Sequence, residues 1–299
     1  MMTTDGNAVT LTSPPALPPL LARGALLSPL KRPRPDAGHA RTRLLLPALR
    51  VDPARLAAYE RVCGFATGAG PGVLPVTYPH VLGFPLAMRL MSGRDFPLPL
   101  LGLVHTSIEI RRRGAMPADG EYGLAVHIAG LAPHRRGTEA TVVTEVLRGG
   151  DAVWESRSTY LARHRTRCSP PAEAAALRPD PEPLPVRDEW RLGGDLGRRY
   201  GAASGDRNPI HLHPLAARLF GFPRAIAHGM WTVARCLAAH ATPEAVAVRA
   251  GFRAPVLLPG TVVYGAGGGR FELRGGGADG SSARPDGGRL HLTGEVYPA

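Results

Sequence analysis

The stretch Tyr200-Gly201-Ala202-Ala203-Ser204-Gly205-Asp206-Arg207-Asn208-Pro209-Ile210-His211 cannot be one regular helix, and the rest of the chain must fold around that break. Pro209 removes a backbone donor and pushes Asn208 out of the helical region. Asp206 and His211 are five residues apart, whereas neighbours on one helical face are three or four apart. The pattern therefore predicts a helix ending near Ser204-Gly205, a tight turn, and a new helix beginning after His213-Pro214. Such a turn can fold the Asp206 carboxylate back toward the His211 imidazole, an acid–base pair in outline. Taken as an isolated pair, Asp206 reads better as a turn residue and His211 as a structural histidine.

A second stretch, Gly221-Phe222-Pro223-Arg224-Ala225-Ile226-Ala227-His228-Gly229-Met230, follows at short distance. Together the two segments resemble the signature of the MaoC-like hydratase/dehydratase family, the (R)-specific enoyl-CoA hydratases of the hot-dog fold. The fold resemblance extends over residues 185–299. It implies an α+β architecture in which an antiparallel sheet wraps a central helix, and in which two such units make an acyl-thioester site. It further implies that Asp206 and His211 hold one water between them, with Asn208 orienting the pair or the water. The Gly229 amide is then the donor to the thioester oxygen. Either member of the pair can serve as the base.

The implied reaction is hydration of a trans-2-enoyl-CoA, or the reverse dehydration of an (R)-3-hydroxyacyl thioester, in fatty-acid metabolism and without a cofactor or metal. The substrate is an acyl-CoA or an acyl-carrier-protein thioester. Two rivals are a carrier-linked dehydratase of lipid or polyketide synthesis and a non-catalytic acyl-binding hot-dog protein. His211, His213 and His228 also suggest a metal set, but the H-x-H pair lacks a third ligand at a familiar spacing. His213 and His228 are expected to be structural, His228 fixing the turn before Gly229. Ser204 lacks the G-x-S-x-G surroundings of a nucleophile.

Order along the chain supports two similar halves. Residues 1–40 read as a proline-rich lead-in, 41–163 as an N-terminal hot-dog domain without the catalytic motif, 164–188 as a proline-punctuated linker, and 189–299 as the catalytic domain. Asp52-Pro53 is a helix start, with the aspartate as cap and proline at the first helical position. Residues 79–92 form a second helical candidate whose first turn must contain Pro85. Arg148-Gly149-Gly150-Asp151 joins two valine- and threonine-rich runs as a hairpin turn. Val262 to Tyr264, Arg270 to Leu273 and Leu290 to Tyr297 are strand candidates, and residues 274–288 a glycine-rich loop. Met230, Val233, Ala234 and Leu237 mark one face of a buried central helix. A shift of 141 residues lays Tyr59 on Tyr200, Cys63 on Ser204, Gly64 on Gly205, Phe65 on Asp206 and Gly70 on His211. Pro79-His80-Val81 matches Ala227-His228-Gly229 at a shift of 148, the extra seven residues being a loop insertion. On this alignment the first half keeps the shape and lacks both catalytic groups, Phe65 being either acyl-chain lining or plain core.

Composition narrows the remaining choices. The formal charge of +12 rests almost wholly on arginine, Lys31 being the sole lysine, and favours acidic partners such as CoA phosphates or an acidic carrier. No groove-reading motif supports nucleic-acid binding. Arg224 and Arg253 could meet CoA phosphates, although a solvated surface is the simpler fate. Cys63, Cys168 and Cys236 form no C-x-x-C pair, consistent with reduced thiols in a cytoplasm. The start of the chain lacks a basic segment before an apolar core, and the apolar region 73–104 is too interrupted to span a membrane. A homodimer is compatible with all of this.

Overall fold

The computed structural model describes residues 7–39, 41–67, 72–166, 182–276 and 288–299. In chain order the elements are β1 (Ala8–Thr10), α1 (Leu17–Leu27), β2 (Arg43–Arg50), α2 (Pro53–Cys63), α3 (Tyr78–Met91), β3 (Val104–Arg112), β4 (Glu121–His134), β5 (Gly137–Arg148) and β6 (Asp151–Arg163). There follow β7 (Val186–Leu192), α4 (Leu196–Ser204), α5 (Pro209–Leu212), α6 (Pro214–Leu219), α7 (Gly229–His240), β8 (Val246–Phe252), β9 (Gly260–Gly267), β10 (Arg270–Gly275) and β11 (Leu290–Tyr297). Contacts divide the chain into two units. The first comprises residues 1–49, 82–107 and 121–181, and the second 50–81, 108–120 and 182–299.

In the first unit the strand order is β1-β2-β4-β5-β6-β3, with β1 and β2 parallel and the β4-β5-β6 meander antiparallel. The expected β5–β6 hairpin is present: Arg148 faces Asp151 across Gly149 and Gly150, both at positive φ (61° and 93°). That two-residue turn matches the strand twist and needs residues without a Cβ penalty. The proline-rich start of the chain is not extended throughout, because Pro18 and Pro19 open α1, where a missing N–H costs nothing. Gly24 lets α1 lie directly on the Leu100 side chain. Pro85 is well inside α3 rather than in its first turn. An interior proline costs about 3 kcal/mol, which complete burial of Leu86 and Met91 offsets.

The second unit carries the strand order β3-β8-β11-β10-β9-β7. The β8–β11, β11–β10, β10–β9 and β9–β7 pairs are antiparallel. Helix α7 packs against β10 and β11, burying Met230, Trp231, Val233, Ala234, Cys236 and Leu237. It is buried on more than one face, as befits a helix enclosed by a sheet. Residues 186–188, read from sequence as the end of the linker, belong to β7, whose Trp190 and Leu192 turn inward. Pro183 and Pro185 precede that edge strand, where a missing donor is tolerated. The buried Glu272–Arg274 pair anchors the approach, Glu272 Oε1 accepting from the Leu184 N–H at 2.9 Å. Pro170, Pro171, Pro179, Pro181 and most of the glycine-rich 274–288 loop lie outside the described residues.

Helices α2 and α4 pack together in this unit, and their equivalence by the 141-residue shift extends to their C-terminal ends. Asp52 caps α2 by accepting from Ala54 N (2.9 Å) and Arg55 N (3.3 Å). Gly64 and Gly205 end α2 and α4 in the left-handed region, at φ 80° and 84°, each returning its N–H to a carbonyl four residues back. Tyr59 and Tyr200 are buried with ring centroids 5.9 Å apart. Phe65 stacks on Tyr59, and Gly70 is outside the described residues.

Candidate active site

The break predicted from Pro209 occurs, with one addition. Helix α4 ends at Ser204 and α6 begins at Pro214, but a single helical turn, α5, starts at Pro209 itself. Asn208 explains it: its Oδ1 accepts from the Ile210 N–H (3.4 Å), and proline fits the first helical position. Asn208 also donates its own backbone N–H to Asp206 Oδ1 at 3.1 Å. Asn208 thus shapes the loop and orients the carboxylate through the main chain.

Asp206 is gripped at both ends of its peptide frame. Its N–H donates to Ser204 Oγ (3.2 Å), and that hydroxyl donates to the Tyr200 carbonyl (2.9 Å). Its carbonyl accepts from His228 Nε2 at 2.9 Å. Arg55 completes the frame from 148 residues away, its Nε donating to the Ala203 carbonyl (2.9 Å) and its Nη2 to Ser204 (2.7 Å). Those are two of the carbonyls that α4 leaves unpaired, at the end of the helix that favours a cation. The glycines of α4 allow the motif to lie close. A Cβ at Gly197 would overlap the His211 carbonyl, and one at Gly201 would sit 2.8 Å from the Asp206 carbonyl oxygen.

His211 Nδ1 lies 2.8 Å from the Ile226 carbonyl. Only an N–H can donate to that oxygen, so the neutral ring carries its proton on Nδ1 and its lone pair on Nε2. Burial holds its pKa below the ordinary histidine value, opposed by the Asp206 carboxylate and by the Ile226 hydrogen bond. His211 is therefore a neutral imidazole with its lone pair on Nε2, the ring nitrogen not bonded to Ile226. His228 carries its proton on Nε2, for Asp206, and burial with the neighbouring His211 pushes its pKa down to about 3. Its 3.9 Å approach to Asp206 Oδ2 is accordingly no ion pair. His80, buried within the electrostatic reach of Asp206, is pushed down to about 4 by burial.

Asp206, His211 and His228 offer side-chain donor atoms that all lie within 4.8 Å of one another. A separation of that size can be spanned by one water making hydrogen bonds of about 2.8 Å to two of them. The set suits a metal ion less well. The His211 and His228 rings stack with centroids 3.7 Å apart at 27°, so their in-plane nitrogens run side by side rather than converging. His228 Nε2 is also engaged with the Asp206 carbonyl. Gly229 is the first residue of α7, whose cap position, His228, supplies no side-chain cap. The first N–H groups of that helix therefore keep partial positive charge for an oxyanion. A Cβ at Gly229 would meet the Phe252 ring at 2.9 Å, so the glycine serves packing as well.

Sequence reasoning reached Asp206, Asn208, His211 and Gly229. It did not reach Arg55, and it gave His228 a structural, turn-fixing role after weighing it in a metal set with His211 and His213. The signals for His228 were its place beside Gly229 in the second motif and its match to His80 in the first half.

A model of the MaoC like domain matches residues 182–272. The 3-hydroxyacyl-thioester dehydratase X of Mycobacterium tuberculosis is 38% identical over 274 residues, covering 88% of this chain and 94% of its own length. The 3-hydroxyacyl-thioester dehydratase Y of the same organism is 32% identical over 61% of this chain and 69% of its own. Among solved structures, HtdX of Mycobacterium tuberculosis superposes with a TM-score of 0.71 at 34% identity, covering 86% of this chain and 100% of that one. Another protein of that organism, described as a double hot-dog fold, gives a TM-score of 0.53 at 13% identity, over 84% of this chain and 93% of its own. The α+β double hot-dog expected from the sequence is thus the fold of this chain. Among the described residues no helix is long and apolar enough to cross a membrane.

Proposed function

The chain belongs to the MaoC-like 3-hydroxyacyl-thioester dehydratases, and we propose that Asp206, His211 and the Gly229 amide perform that reaction here. The chain interconverts (R)-3-hydroxyacyl and trans-2-enoyl thioesters in fatty-acid metabolism. The observation that carries the site assignment is the cluster in which one side-chain donor atom each from Asp206, His211 and His228 lie within 4.8 Å of one another, with His211 Nδ1 committed to the Ile226 carbonyl.

The protonation states restrict how the step runs. His211 Nε2 bears a lone pair and Asp206 a carboxylate, so neither brings a proton to the reaction. The water must then supply both added groups. In hydration the pair accepts a proton from the water as its oxygen bonds to the β-carbon. The electron pair of the C=C bond moves onto the thioester oxygen, and the same proton returns to the α-carbon. Dehydration reverses this: the α-proton is taken, the β-hydroxyl is protonated and water leaves. One proton cycled from one side adds H and OH to the same face. The enolate oxygen is steadied by the Gly229 N–H at the start of α7. Asn208 holds the geometry of the acid–base loop.

The substrate is an acyl group on CoA or on a carrier protein, and the location is the cytoplasm. Buried thiols at Cys63 and Cys236 are in keeping with that compartment. Residues 41–163 act as the half without the acid–base pair, and 189–299 as the half that carries it. The purified protein should hydrate crotonyl-CoA, read as loss of the conjugated thioester absorbance. Asp206→Asn and His211→Ala should each lower kcat by ~10²–10⁴-fold in a folded protein. Full turnover in either variant overturns the assignment.

A further inference from the structure

We propose that His228 is a positioning residue for the reaction, holding the Asp206 main chain through its Nε2–H. The inference rests on the site assignment above.

The contacts of this side chain divide between the two reacting groups. Nε2 donates to the Asp206 carbonyl at 2.9 Å. The Asp206 N–H is held by Ser204 and its Oδ1 by the Asn208 N–H. With the carbonyl also tied, the peptide that carries the carboxylate has little freedom to rotate. The His228 ring lies against that of His211 at 3.7 Å, with Tyr200 at 4.8 Å. Stacking leaves the His211 imidazole one plane, and the Ile226 carbonyl selects its orientation within that plane. His228 is also joined directly to Gly229, the first residue of α7. The same side chain thus touches the carboxylate's peptide and the imidazole and adjoins the proposed oxyanion donor.

A purely structural histidine would not need this arrangement. The His228 ring is buried, yet among the described residues Nδ1 has no hydrogen-bond partner. Burying an unsatisfied acceptor costs about 1–3 kcal/mol, which a plain packing role would avoid by using an apolar ring. What the site gains is a flat ring with one in-plane donor that remains neutral. Gln places an amide nitrogen where Nε2 was, Asn places one nearer Nδ1, and Phe keeps only the ring.

The test compares His228→Gln, His228→Asn and His228→Phe in crotonyl-CoA hydration and thermal unfolding, with Asp206→Asn and His211→Ala run alongside. His228→Gln should retain kcat to within about threefold, while Asn and Phe lose ~10–10²-fold in kcat with KM within about twofold. Equal kcat in all three variants, or a loss confined to KM, overturns the inference. Should Asn and Phe fail to fold, His228→Gln decides: a large loss of kcat at unchanged Tm overturns it, and retained kcat supports it. If Asp206→Asn and His211→Ala are inactive while the His228 variants are indifferent, only this inference fails. If those two remain active, the site assignment itself fails.

Discussion

Replacing Gly201 by alanine sets two opposed effects against each other at one position. Gly201 is a buried residue of α4, and alanine in a helix interior normally stabilises by about 0.5–1 kcal/mol. Here the new Cβ would lie 2.8 Å from the Asp206 carbonyl oxygen and 3.3 Å from Leu212 Cδ2. Ordinary contact begins near 3.4 Å, so the main chain at Asp206 must retreat by about 0.6 Å. It cannot do so freely, because His228 holds the same oxygen at 2.9 Å and Arg55 holds the Ala203 and Ser204 carbonyls just upstream. Overpacking of this kind costs about 1–3 kcal/mol, so the clash should exceed the propensity gain and leave the variant destabilised by about 1–2 kcal/mol. A 1 Å misplacement of a catalytic group can cost ~10²-fold, so a shift of about half that size should lower kcat on the order of tenfold. Crotonyl-CoA hydration and thermal unfolding read both terms. Ala202→Gly, on the exposed side of the same helix, should lose about 1 kcal/mol with unchanged kcat. A Gly201→Ala protein with raised Tm and parental turnover would refute the argument that α4 presses the acid–base loop into place.

Arg55→Ala should lose two charge-assisted hydrogen bonds to α4 and about 1–3 kcal/mol in denaturant unfolding, with kcat falling as the Asp206 loop loosens. Arg55→Lys should not restore both, since an ammonium lacks the guanidinium fork. Stability should also depend on pH through the buried histidines. His228 and His80 have folded pKa values of about 3 and 4 against 6.5 when unfolded. Their contribution is fully present above pH 6.5. It is lost as the pH falls toward those values, at up to about 1.4 kcal/mol per pH unit for each group, because only the unfolded chain takes up the proton. His228→Gln should flatten the slope of unfolding free energy between pH 6.5 and 5 measured by denaturant titration, and an unchanged slope would count against a neutral buried His228.

Local chemistry was legible in the sequence wherever one residue or a short run decides the backbone. Pro209 and Gly205 end α4, Asp52-Pro53 opens α2, and Gly149-Gly150 turns the β5–β6 hairpin. The period of Met230 to Leu237 foretold α7. Where packing decides, the reading fell short. Pro85 is inside α3 because burial outweighs its local cost. The α5 turn went unseen because Asn208 caps it with a side chain whose alternatives include an open turn. Strands β1, β2, β3, β4, β7 and β8 were not picked out, their pairing being set by partners far away in the chain.

The order of residues was enough to identify an acid and an imidazole across a forced bend, and a glycine at a helix start, because each depends on backbone rules that act within a few positions. How those groups face one another was a matter for three-dimensional packing. Arg55 meets α4 across 148 residues, and the His228 ring reaches Asp206 across 22 and stacks on His211. Contacts of that span depend on which surfaces become adjacent once apolar area is buried, and no local pattern encodes them.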